Sequence, residues 1–175
     1  MYLGEFYTLY ALRKASCGIF LWETGSDRDV LLPNKYVPVG LKLDDTVDVF
    51  LYRDSEDRIV ATTITPKILL HQFATLEVKE VTTIGAFLDW GLEKDLFLPF
   101  VEQVTRVKKG DKVTVFLYLD ERTDRLVASA NVRDFAEENT TLKEGEEVDL
   151  LVDQESDLGF QVIINNKYRT INILS

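Results

Sequence analysis

Two phenylalanines, Phe87 and Phe97, carry the clearest chemical possibility in this chain. They sit in Gly85-Ala86-Phe87-Leu88-Asp89 and Asp95-Leu96-Phe97-Leu98-Pro99, where apolar residues alternate with Phe and Asp. Side chains alternate across a strand, so if Leu88, Leu96 and Leu98 face a core, both phenylalanines face outward. Rings placed in this way stack on unpaired nucleobases, at about 1–3 kcal/mol per base. Lys94 lies between the two segments, and Arg106, Lys108, Lys109 and Lys112 follow them as candidate phosphate contacts, with Arg125 as a further one. An earlier segment, Gly18-Ile19-Phe20-Leu21-Trp22, repeats half of this pattern. Phe20 and Trp22 share one phase there, but Leu31 stands where the later copy has Phe97. Two assignments are open for Phe87 and Phe97: a stacking platform, or packing against a neighbouring domain. The run from Arg106 to Lys112 likewise reads either as a phosphate patch or as a solvated connection. Phe50, Tyr52, Phe116 and Tyr118 are assigned to packing between domains, and Trp90 to a structural role.

Other chemistries find little support. The 9 glycines never take the spacing of a dinucleotide fingerprint or a P-loop. One His and one Cys cannot supply the four or so N/S ligands of a structural zinc site. His71 lies in Leu69-Leu70-His71-Gln72-Phe73 with no nucleophile motif near it, and no spacing among the 30 acidic residues recommends a catalytic pair. A non-catalytic chain with no cofactor and no metal is expected. With 20 basic residues the net charge is −10, which argues against strong general affinity for polyanions. The charge is unevenly spread: −3 over 1–66, −1 over 67–134 and −6 over 135–175. Any nucleic-acid affinity should therefore be modest, salt-sensitive and concentrated in the middle segment. No apolar run approaches the roughly 20 residues of a membrane span, and residues 1–25 lack the basic-then-apolar order of a signal peptide. Cys17 alone allows no internal disulfide. A cytoplasmic protein with no membrane contact is expected.

The elements that must position these residues are legible as a repeat of about 66 residues. Gly18-Ile19-Phe20-Leu21 returns as Gly85-Ala86-Phe87-Leu88, and Asp29-Val30-Leu31-Leu32-Pro33 as Asp95-Leu96-Phe97-Leu98-Pro99. Val47-Asp48-Val49-Phe50-Leu51-Tyr52 returns as Val113-Thr114-Val115-Phe116-Leu117-Tyr118, and Asp57-Arg58-Ile59-Val60-Ala61 as Asp124-Arg125-Leu126-Val127-Ala128. Order and spacing both persist, which marks a duplicated domain. Each copy reads as five short strands with a glycine bend at 18 or 85, a polar turn at 54–57 or 120–124, and a short helical or irregular connection at 34–44 or 100–110. That pattern predicts an all-β chain of tandem five-stranded Greek-key barrels of the OB type, over 1–66 and 67–134. Residues 135–175 read as a linker and an incomplete third repeat. A short connecting helix is expected over 131–138 and a linker over 139–145, with strands over 147–152, 158–164 and 168–173 and a two-residue turn at Asn165-Asn166. Two strands are missing from that copy. Truncation, or completion by packing on a neighbour, would account for them.

Gly-Ala-Phe-Leu-Asp-Trp-Gly at 85–91 followed by Asp-Leu-Phe-Leu-Pro at 95–99 resembles the S1-type RNA-binding domain. Val-x-Val-Phe-Leu-Tyr-x-Asp and Asp-Arg-Leu-Val-Ala-Ser are similar to that family's fourth and fifth strands. The tandem arrangement, with Leu-Gly-Phe-Gln-Val-Ile-Ile-Asn-Asn-Lys opening a third copy, resembles the conserved virulence factor B family of bacterial proteins, whose several S1-like domains precede a winged helix; no winged helix is present in these 175 residues. The resemblance implies that aromatic residues at 87 and 97 contact single-stranded RNA, and that the chain regulates RNA metabolism or gene expression. Leu32 and Leu98 depart from the wider family, many of whose members carry histidine there. The expectation is weak single-stranded RNA binding without strong sequence preference. The rival expectation is a protein-interaction module whose aromatic barrel faces are buried against each other, in domain interfaces, or against a partner protein.

Overall fold

The computed structural model describes residues 1–138, 141–156 and 159–173. The chain divides into two compact units, one made of Met1–Pro66, Gly91–Lys94 and Leu119–Leu126, the other of Lys67–Trp90, Asp95–Tyr118 and Val127–Ser175. Among the described residues no helix is long and apolar enough to cross a membrane.

In the first unit, β1 (Phe6–Ala15), β2 (Gly18–Trp22), β3 (Asp29–Pro33), β4 (Thr46–Arg53) and β5 (Ile59–Thr62) close a barrel in the order β1-β2-β3-β5-β4. The β3–β5 contact is parallel, at Leu31 and Val60, and the other ladders are antiparallel. Alternation drives the closure. Leu9, Ala11, Leu21, Leu32, Val49, Leu51 and Ala61 point inward and are almost fully buried, each larger one contributing about 1.5–3 kcal/mol. The bend that opens β2 needs glycine. Gly18 has φ +159, and a Cβ there would lie 2.1 Å from the Leu32 carbonyl oxygen.

The second copy repeats the order in a five-stranded sheet, β10-β9-β6-β7-β8, from β6 (Phe73–Val81), β7 (Gly85–Asp89), β8 (Leu96–Pro99), β9 (Lys112–Asp120) and β10 (Arg125–Ser129). Leu76, Val78, Leu88, Leu96, Leu98, Val115 and Leu117 form its interior. The expected connections are single 3-10 turns, Asn34–Tyr36 and Phe100–Glu102.

The 131–138 segment differs from expectation. Only Val132–Phe135 is helical (α1), because Ala136 returns to extended backbone. Glu137–Glu138 then forms β11, paired in parallel with β14 (Tyr168–Ile173). With β12 (Leu150–Ser156) and β13 (Gly159–Ile164) this gives a four-stranded sheet, β11-β14-β13-β12. The first strand of the third repeat thus starts three residues later than the hydrophobic pattern suggests. Asn165 and Asn166, with φ 51 and 54, make the expected tight turn. Residues 139, 140 and 158 of the expected linker and second strand lie outside the described residues. Phe116 on the outer side of β9 is buried among Phe73, Val132, Ala136 and Ile163, with Tyr118 against the same cluster. These are the packing roles expected for Phe116 and Tyr118, and they join the second copy to the third sheet within one unit.

Candidate nucleic-acid interface

Register brings the two phenylalanines together. Phe87 on β7 and Phe97 on β8 are direct cross-strand partners. Their ring centroids lie 5.3 Å apart at an interplanar angle of 36°, and both side chains are half-buried. Gly85 permits this approach. It has φ +156, and a Cβ there would meet the Leu98 carbonyl oxygen at 2.6 Å and the Phe97 ring at 2.8 Å.

The platform is bordered by carboxylates. Glu80 on β6 stands directly opposite Phe87, and Glu77 opposite Asp89. Two of the acids on this border are ion-paired: Lys67 Nζ lies 2.6 Å from Asp89 Oδ2, and Lys79 Nζ lies 2.8 Å from Asp95 Oδ1. The hydrogen bond to Asp95 holds the Lys79 ammonium above the usual lysine range. Sequence reasoning missed Lys67 and Lys79. Lys79 occupies the β-bulge between Val78 and Glu80, where strict alternation fails as a guide.

The other candidates divide into two groups. Lys112 pairs across β6 with Glu77, two strand spacings or roughly 10 Å from β7. Lys108 and Lys109 are exposed on a turn locked to β6, where Gly110 donates to the Val78 carbonyl and Val78 donates to the Asp111 carbonyl, both at 2.8 Å. Arg106 covers the Phe100 ring at 4.1 Å and donates to the Phe100 carbonyl at 3.1 Å. Lys94 and Arg125, by contrast, make their contacts in the first unit. Lys94 donates to the Asp54 carbonyl at 2.9 Å, and burial lowers its pKa from the usual lysine value. Arg125 pairs with Asp57 at 2.9 Å.

The first copy holds its aromatic residues differently. The Arg13 guanidinium lies 3.6 Å from the centroid of the Phe20 ring and pairs with Asp29 at 2.9 Å, so a cation already covers that ring. Trp22 is half-buried and donates Nε1–H to the Ser26 carbonyl at 2.8 Å. In the third sheet Gln161 takes the place of Phe87, opposite Gln154. His71, set aside as a catalytic candidate, lies over Phe116 with ring centroids 6.1 Å apart. Among the described residues no three His, Cys, Asp or Glu converge to hold a metal ion.

An arrangement of this kind offers two adjacent, mutually tilted aromatic rings, a short basic turn and several hydrogen-bond acceptors. The S1 domain model matches residues 3–64 and again 72–131. The uncharacterized protein YitL of Bacillus subtilis (strain 168) is 33% identical over 125 residues, covering 68% of this chain and 41% of that one. A crystal structure of a multidomain protein with nucleic acid binding domains from Streptococcus pneumoniae TIGR4 superimposes with a TM-score of 0.63 at 20% identity. It covers 94% of this chain and 60% of that one, a likeness of fold. The chain thus spans less than two thirds of either relative. Two matches in tandem, over two five-stranded sheets of one strand order, place the chain in the S1 domain family.

Proposed function

We propose that this chain is a non-catalytic binder of single-stranded RNA, acting weakly and mainly through its second S1 domain. The observation that carries the reading is the Phe87–Phe97 pair, whose rings are side by side and half-exposed on β7 and β8, in a sheet that also carries the exposed Lys112 and the turn of Lys108 and Lys109. Stacking of this kind tolerates any base, and a few cations beside it track the backbone. The first domain contributes less, because Arg13 occupies the ring of Phe20 and Leu31 replaces the second aromatic. Family membership supports the reading, and so does the description of the pneumococcal structure, which names nucleic acid binding domains in that protein.

The test is titration of a fluorescent single-stranded RNA at about 50 and 200 mM salt, for the native chain and for Phe87→Ala. Salt-sensitive binding that the substitution weakens is expected. Absence of binding at the lower salt would overturn the reading and leave the aromatic face to a protein partner. The resemblance to the conserved virulence factor B family extends the proposal to regulation of RNA metabolism in a bacterial cytoplasm. Recovery of cellular RNA crosslinked to the native chain but not to Phe87→Ala tests that extension.

A further inference from the structure

The three repeats differ at one geometrically defined position, the first-strand residue directly across from Phe87 or its counterpart in the other copies. That pair is Arg13–Phe20 in the first copy, Glu80–Phe87 in the second and Gln154–Gln161 in the third. In all three the residue follows a β-bulge, which turns it to the outer face beside its partner. Direct cross-strand partners have Cβ atoms about 5 Å apart, so Glu80 meets the edge of whatever stacks on Phe87. Asp89 and Asp95 on the same border are each held by a lysine. Glu80 is exposed, and no ion pair or hydrogen bond to its carboxylate occurs among the described residues.

We propose that Glu80 reads the edge of a base stacked on Phe87 and Phe97, so that the second S1 domain prefers guanine over uracil at this position. A free carboxylate only accepts hydrogen bonds. Guanine presents two adjacent donors on its Watson–Crick edge, N1–H and the 2-amino group, which match the two carboxylate oxygens. Uracil presents N3–H between two carbonyl oxygens, and these repel the carboxylate. Adenine and cytosine each offer one amino group and rank between the two. The unpaired charge also opposes the phosphate backbone, so the gain in discrimination comes with weak overall affinity.

This inference rests on the proposed RNA binding, and the experiment separates the two. The full chain is titrated in lithium chloride, which disfavours guanine quadruplexes, with UUUUUUUUU, UUUUGUUUU and the same oligomer carrying inosine for guanosine. A single guanosine is expected to tighten binding about tenfold, in the range of one bidentate base contact. Inosine, which lacks the 2-amino group, is expected to fall between. Glu80→Gln should bring the guanosine and uridine oligomers together. Equal binding of the two oligomers to the native chain overturns the base preference and leaves the RNA reading standing. A preference that persists in Glu80→Gln overturns the role of this residue. If none of the oligomers binds, the RNA reading and the preference fall together.

Discussion

Phe87 and Phe20 differ in what covers them, and function should follow that difference. The Phe87 ring faces Phe97, whereas the Phe20 ring carries Arg13 on one face. Phe87→Ala is therefore expected to weaken RNA binding roughly 5- to 150-fold, the worth of one stacked base, whereas Phe20→Ala changes it less than about threefold. Fluorescence anisotropy on both variants, with circular dichroism to confirm the fold, measures the contrast. Equal losses would mean that the first domain also presents a platform. Gly85 supports the same site from below. An alanine there adopts φ +156 and crowds both the Leu98 carbonyl and the Phe97 ring. Gly85→Ala should cost of order 1–3 kcal/mol of stability, read by urea denaturation, and it should displace Phe97 enough to weaken RNA binding at temperatures where the protein is still folded.

At the scale of elements, the polar turns of the two copies carry a pH dependence. In the first unit the Asp54–Arg58 turn accepts Lys94, and Asp57 pairs with Arg125, while Arg53 pairs with Asp124. Burial pushes the Asp54 carboxyl up, but hydrogen bonds from the Arg58 side chain and from the backbone outweigh it and hold it below the usual carboxylate value. The Arg125 guanidinium lowers Asp57 in the same way. A depressed folded-state pKa stabilises the fold above the unfolded value of 3.8 and loses that contribution as pH falls through the folded value. Asp153 on β12 has the opposite sign. Burial raises its pKa, and Arg133 of α1 lowers it only in part. Glu138 of β11 and Arg169 of β14 line the same cavity and pair with each other at 3.1 Å. The penalty for the charged form of Asp153 is present above its raised pKa and relieved as pH falls below it. Asp153→Asn is thus expected to raise the melting temperature near neutral pH and to do so less at pH about 4, by thermal melts across that range; an unchanged difference would show that the carboxyl is not penalised. Strands, repeat and glycine bends were legible in the sequence because alternation and spacing encode them directly. The neighbours of Phe87 and Phe20 were not. A bulge shifts Glu80 and Arg13 onto the platform edge, and only pairing register reveals it. Lys94 and Arg125 looked like phosphate ligands from their place in the repeat, yet tertiary contacts with residues 54–57 occupy them. The pairing of β11 with β14 likewise had no local signal, since two glutamates carry no strand pattern of their own.

Over the whole molecule, a net charge of −10 sets how tightly any RNA can be held. Single-stranded nucleic acid releases counterions in proportion to the phosphates that cations neutralise, with a log–log salt slope of about −0.7 per phosphate. Arg106, Lys108, Lys109 and Lys112 cluster in sequence near the platform, and Lys67, Lys79, Lys94 and Arg125 are ion-paired or hydrogen-bonded to other groups. A slope no steeper than roughly −3 is therefore expected for the native chain. Lys108 and Lys109 are exposed, and neither side chain takes part in an ion pair among the described residues. Replacing both with alanine should flatten the slope by roughly 1.4 and weaken binding alike for every oligomer. It should leave the ratio of guanosine to uridine binding where the native chain has it, because phosphate contacts carry no base information. Glu80→Gln has the reverse signature, a changed ratio and an unchanged count of phosphate contacts. If the double lysine variant altered the ratio instead, the basic turn and the platform would have to act on the same nucleotide, and the roughly 10 Å that separates β9 from β7 would have to close when RNA binds.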